Sequence, residues 1–126
     1  MNREVVHTDD APAAVGPYSQ AIKTNEMVFT AGQIGLNPAS GKMREGLEEQ
    51  TRQVLANLEA VLRAAGTDMA HIVKTTIFLT DMADFGTVNS IYAGAFDAAP
   101  PARSTVAVAA LPLGAVVEIE AIASLM

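Results

Sequence analysis

Pro100-Pro101-Ala102-Arg103-Ser104-Thr105-Val106-Ala107-Val108-Ala109-Ala110-Leu111-Pro112-Leu113-Gly114-Ala115-Val116-Val117-Glu118-Ile119-Glu120-Ala121-Ile122-Ala123 is the stretch whose reading decides the fold. Two runs of valine, isoleucine and alanine flank a Leu-Pro-Leu-Gly break, the pattern of two neighbouring antiparallel strands joined by a tight turn. A connection centred on Pro112 and Leu113 sets Ala107 opposite Glu118 and Thr105 opposite Glu120, and directly paired residues share a face. Arg103 falls on the same face, roughly 13 Å along the strand from the level of Glu118 at about 3.3 Å per residue. The other face, with Ser104, Val106, Val108, Val117, Ile119 and Ala121, is the apolar side. The charged face is then either a solvated surface with a weak cross-strand pair or a ligand site in which two long side chains close around a small molecule. Pro100-Pro101-Ala102 favours the second reading. Rigid backbone ahead of a strand fixes where the first long side chain points, and a fixed arginine suits bidentate capture of a carboxylate.

Outward from that stretch, 126 residues with 50% apolar composition make one domain, residues 1–126, able to bury roughly two thirds of its unfolded surface. A net charge of −6, with no basic patch, argues against binding nucleic acid electrostatically. The absence of cysteine leaves neither a disulfide framework nor a thiolate nucleophile. The opening Met1-Asn2-Arg3-Glu4-Val5-Val6-His7 lacks the apolar core of a signal peptide, and no apolar run has membrane-spanning length. The expectation is a cytoplasmic protein with no membrane contact. His7 and His71 are the only histidines, one in the lead-in and one at a strand start, so a metal site lacks ligands. The six methionines are scattered and read as core filling.

Residues 9–17 form an irregular lead-in, followed by a hairpin of 18–23 with 27–34 across Thr24-Asn25-Glu26. Gly32, inside the second strand, marks either a bulge or a place where backbone closely approaches something. Between Glu45 and Ala65, Leu47, Val54, Leu58, Val61, Leu62 and Ala65 lie on one helical stripe. Glu48 with Arg52 and Glu59 with Arg63 make i,i+4 pairs on the far side, and Gly66 supplies the stop. His71 to Thr80 is a strand with both faces at least partly covered and therefore inside the sheet. Asp81 or Asp84 caps a second helix reaching Phe96, with Phe85, Val88, Tyr92, Ala95 and Phe96 toward the sheet and Asn89 beside them.

The clear elements run strand, strand, helix, strand, helix, strand, strand, and the expectation is an α+β domain with a mixed sheet of about six strands and two helices on one face. Nothing in the chain covers the other face, which is expected to carry Phe29 or Ala31, Ile72 or Val73, Ala107 and Ala109. A bare face of that composition is an association surface, so a symmetric oligomer is expected.

Six segments together, Gly16-Pro17-Tyr18-Ser19-Gln20-Ala21, Thr30-Ala31-Gly32-Gln33-Ile34, Ile72-Val73-Lys74-Thr75-Thr76, Val88-Asn89-Ser90-Ile91-Tyr92, Pro101-Ala102-Arg103-Ser104 and Glu118-Ile119-Glu120-Ala121-Ile122-Ala123, closely resemble the Rid (YjgF) family of reactive-intermediate deaminases. The resemblance spans nearly the whole chain. It implies a chorismate-mutase-like α+β fold, assembled as a homotrimer around a barrel-like core with ligand clefts between subunits. The implied activity is hydrolysis of enamine and imine acids, such as 2-aminoacrylate and its tautomer 2-iminopropanoate, to 2-oxo acids and ammonia, with no metal or organic cofactor. By the same resemblance Arg103 grips the substrate carboxylate and Glu118 orients or deprotonates water. Tyr18 and Asn89 line the cleft, the Ala31-Gly32 backbone approaches the substrate, and the Thr105 carbonyl accepts a hydrogen bond from its nitrogen. Ala31 stands where the family archetype has serine and Thr105 where it has cysteine, which excludes a covalent thiol mechanism. A trimer that binds 2-oxo acids without catalysis, or regulates a partner, is the alternative; an RNA-cleaving role attributed to some members fits the charge less well.

Overall fold

The computed structural model describes residues 2–97 and 99–125. Seven strands, β1 (Glu4–Val6), β2 (Ala21–Lys23), β3 (Met27–Thr30), β4 (Gln33–Ile34), β5 (Ile72–Leu79), β6 (Ala102–Ala107) and β7 (Val117–Ser124), form one sheet with helices α1 (Leu47–Ala64) and α2 (Phe85–Ala93). The sheet runs β1-β2-β3-β7-β5-β6, with β4 also on β7. The β5–β6 pair is parallel and the others are antiparallel. The hairpin expected across Thr24-Asn25-Glu26 is β2–β3, and β5 is interior as expected.

The hairpin expected in the last quarter of the chain does not form. β6 pairs with β5, β7 pairs with β5 on its other side, and Val108 N extends the β5–β6 ladder by donating to Leu79 O. Both runs are strands, but each takes one edge of β5, whose Ile72, Thr75, Ile77 and Leu79 are buried. The α2 crossover makes β6 parallel to β5, since parallel neighbours need a long connection. Pro112–Gly114 opens a tight turn, non-helical at Leu113, within a wider loop back to β7.

With β5 between them, β6 and β7 turn different side chains to each face of the sheet. Thr75, Ile77 and Leu79 of β5 pair with Arg103, Thr105 and Ala107 of β6 and with Ala121, Ile119 and Val117 of β7. All of these therefore share the face under the helices, where Val28, Val54, Leu58, Ile77, Val88 and Ile119 make the core. Glu118 is level with Phe78 and Val106 on the opposite face. Arg103 and Glu118 thus lie on opposite faces of the sheet, not on one. Ser104 and Val106 do not join Val117, Ile119 and Ala121, and Ala107 and the buried Ile72 leave the expected association face. That face does carry Phe29, 44% exposed, and Val106, 42% exposed.

In α1 the apolar stripe is buried and Gly66, at φ 92°, ends the helix as expected. Glu59 pairs with Arg63, whereas Arg52 takes Glu49, one turn back at i,i+3, instead of Glu48. Asp81 accepts from Ala83 N and caps the turn ahead of α2, which stops at Ala93 rather than Phe96. Among the described residues, no helix is long and apolar enough to cross a membrane.

Candidate active site

Glu118 is placed by an irregularity in the strands beside it. Phe29 pairs with Ile122 and Gln33 with Ile119, so four steps along one side match three along β7. That extra residue is a bulge at Ala31-Gly32, and both sequence readings of Gly32 hold. A Cβ on Gly32 would run into the Glu118 carboxylate, whose Cδ would lie 2.8 Å away. Only glycine leaves room for the carboxylate to lie against the backbone.

Tyr18, Gln20, Ala31, Gly32, Leu113 and Glu118 line a cavity of about 510 Å3. Burial pushes the Glu118 carboxyl above its ordinary value, and neighbouring Glu120 pushes it the same way. Tyr18 is half exposed at 51%, and its hydroxyl accepts from Val15 N at 3.4 Å. The lead-in that walls this cavity is tied down by Gln20, which sequence reasoning left unassigned. Its buried amide donates to Thr8 O at 3.0 Å and Pro12 O at 2.9 Å, and accepts from Thr8 N at 2.7 Å. Two polar residues on the buried stripe of α1 do similar work. Asn57 donates to Ile34 O and Leu36 O, while Gln50 donates to Arg44 O and accepts from Val116 N. The signal for both was available: an amide at helical spacing among core residues has backbone to satisfy.

Arg103 belongs to a second cavity, of about 430 Å3, with Asn89, Tyr92, Phe96, Pro100 and Pro101. Its Nη1 donates to Asn89 Oδ1 at 2.7 Å. Its guanidinium carbon lies 5.4 Å from the Phe85 ring centre and 5.0 Å from that of Tyr92, within cation–π range. Tyr92 is itself anchored, its hydroxyl 2.7 Å from Thr75 Oγ1 inside the core. The guanidinium is thus pre-set by two rings and an amide. Sequence reasoning had placed Phe85 and Tyr92 only as packing toward the sheet.

The sequence-derived residues therefore assemble as two groups: Tyr18, Ala31, Gly32 and Glu118 in one, Asn89 and Arg103 in the other. Thr105 lines neither cavity, and its buried hydroxyl has no hydrogen-bond partner among the described residues. His7 and His71 pair with Asp9 and Asp68.

Residues 8–125 match the protein family described as Endoribonuclease L-PSP. The chain belongs to this family, which is the Rid (YjgF) family. It is 58% identical over 126 residues to Reactive Intermediate Deaminase A, chloroplastic, of Arabidopsis thaliana, covering 99% of this chain and 67% of that one. It is 52% identical over 122 residues to the 2-iminobutanoate/2-iminopropanoate deaminase of Mus musculus, covering 96% and 90%. The crystal structure of a Rid-family protein from Yersinia pestis superimposes with a TM-score of 0.95 at 53% identity, over 98% and 99% of the two chains. Within the Rid family, then, this chain keeps a carboxylate cavity on one face of its sheet and a caged arginine on the other.

Proposed function

We propose that the protein hydrolyses reactive enamine and imine acids of the 2-aminoacrylate/2-iminopropanoate type to 2-oxo acids and ammonia, and does so as a homotrimer whose clefts join the Glu118 cavity of one subunit to the Arg103 cavity of the next. The observation that carries this reading is the placement of the two groups on opposite faces. Three residues of offset along the strands, about 10 Å at 3.3 Å each, and the sheet itself keep Arg103 and Glu118 of one chain from gripping the same small molecule. A second copy resolves this, and the exposed Phe29 and Val106 face gives it an apolar surface to bury. The names of the relatives at 58% and 52% identity support the chemistry. The chorismate-mutase-like, barrel-cored assembly follows from the family resemblance.

In this scheme Arg103, held by Asn89 and the two rings, binds the substrate carboxylate as a bidentate pair. Water held by Glu118 adds to the carbon of the protonated C=N bond, its proton passing toward the carboxylate. The C–O bond forms as the π pair moves to nitrogen. The proton returns to that nitrogen; the hydroxyl then gives up its own proton to the Glu118 carboxylate, and as its oxygen pair closes the C=O bond the C–N bond breaks, releasing ammonia and leaving the 2-oxo acid. Burial of Glu118 raises its basicity toward the working range of a general base. No thiol is required, because the protonated imine is already electrophilic and the site mainly positions water and balances charge.

The test is release of pyruvate and ammonia while 2-iminopropanoate is generated in situ by an amino-acid oxidase. Wild type is expected to accelerate release and Arg103→Ala to lose at least about a hundredfold of that effect, as removal of a charge-assisted binding pair predicts. No acceleration, or an Arg103→Ala variant at wild-type rate, overturns the reading.

A further inference from the structure

The cavity around Glu118 has one wall that the proposed chemistry does not use. Leu113 has φ 57° and ψ 27°, and it is the only non-glycine residue with positive φ among the described residues. With Gly114 at φ 73° it makes the centre of a turn closed by Ala115 N donating to Pro112 O at 3.1 Å. Positive φ at both central positions is the arrangement that asparagine, aspartate or glycine normally fills first. A leucine there is strained against its own carbonyl.

Core packing does not explain the leucine, since the side chain is 70% exposed. Hydrogen bonding does not explain it either, because the turn is closed by backbone that any residue supplies. What the side chain does is border the Glu118 cavity, beside Val15, Ile34, Leu36 and Pro112. Strain that folding does not need, at the edge of a site, points to a role in that site.

We propose that Leu113 is a specificity-determining residue. It completes the apolar wall facing Glu118 and selects, among imine acids, those whose side chain is apolar and longer than a methyl. The proposal rests on the deaminase reading for the identity of the substrate. With the carboxylate at Arg103 of the adjoining subunit and the C=N carbon at Glu118, the remaining substituent is the one left to meet this wall. The cavity gives it more room than a methyl fills.

The experiment compares wild type with Leu113→Gly and Leu113→Asn, both of which tolerate left-handed backbone and so keep the turn. Two ratios are measured. One is the affinity for 4-methyl-2-oxopentanoate against that for 2-oxopropanoate, by calorimetry. The other is kcat/KM for the corresponding imine acids generated in situ. Wild type is expected to favour the longer acid in both ratios, and each variant to lose about tenfold of that preference, the scale on which apolar pockets discriminate. Melting temperatures at or above wild type are expected, because strain is relieved. A wild type without preference, or variants that keep it, overturns the assignment, and a purely structural role for Leu113 predicts a lower melting temperature with both ratios unchanged. The affinity ratio also separates the two readings. If wild type discriminates between the oxo acids through Leu113 yet hydrolyses no imine, the specificity wall stands and the deaminase reading falls. If it hydrolyses both imines without discrimination, the reverse holds.

Discussion

Glu118 occupies a place where an ionised carboxylate is costly. Burial, then Glu120, raises its pKa, so the folded chain holds its proton to higher pH than the unfolded chain does. A carboxyl raised in this way contributes no penalty below its ordinary value of 4.5; the penalty builds as the pH rises from there to the raised value and is complete above it. Glu118→Gln is therefore expected to melt above wild type at pH 7, with the gap closing as the pH falls toward about 4.5, while imine hydrolysis is lost. Calorimetric scans between pH 4 and 8 check the sign, and an equal or lower melting temperature for Glu118→Gln at pH 7 contradicts the burial. At this scale the chemistry was legible early. An arginine after two prolines and a glutamate in an apolar strand stand out by residue type alone. What stayed hidden was the cage around Arg103, because Phe85, Asn89 and Tyr92 look like ordinary positions of an amphipathic helix until β6 is laid beside it.

Elements matter here through what they hold in place. Residues 8–12 have no strand or helix of their own, and Gln20 supplies the hydrogen bonds that a ladder would otherwise give them. Gln20→Ala is expected to cost about 2 kcal/mol, because it strands the amide of Thr8 and two carbonyls in a part-buried setting. It should also speed hydrogen exchange at residues 8–12 and raise KM through the loosened Tyr18 wall. Urea denaturation and exchange mass spectrometry check the two effects, and a variant of unchanged stability would show that water replaces the glutamine without loss. The helices and most strands were legible because each shows its own period, 3.6 or 2, over enough residues. Strand β4 was not, since Gln33 and Ile34 read as a continuation of β3. Only the pairing of both segments with β7 reveals the bulge that parts them.

At the scale of the whole molecule, an intersubunit site makes a quantitative prediction. Arg103→Ala and Glu118→Gln are each expected to be inactive, yet subunits of the two mixed one to one, unfolded and refolded together, should recover activity. Random assortment pairs an intact Arg103 with an intact Glu118 at about a quarter of the interfaces of a closed ring. If both residues served from one chain, no mixture would recover anything. Size-exclusion chromatography with light scattering gives the companion measurement, and Phe29→Asp is expected to dissociate the assembly by placing a charge on the uncovered face. By itself the sequence determined the class of the domain, the identity and period of its main elements, the residues able to carry chemistry and the family to which they belong. Those properties are written locally, in residue type and spacing. The order of strands in the sheet was decided only by tertiary structure. Two apolar runs flanking a turn favour a hairpin locally. Strand β5, however, buries Ile72, Thr75, Ile77 and Leu79 and pairs along both of its edges, with β6 on one side and β7 on the other, and that gain outweighs the entropy of a longer connection. That one insertion moved Arg103 to the face opposite Glu118, so the two side chains that a hairpin would have set on one face do not meet within the chain.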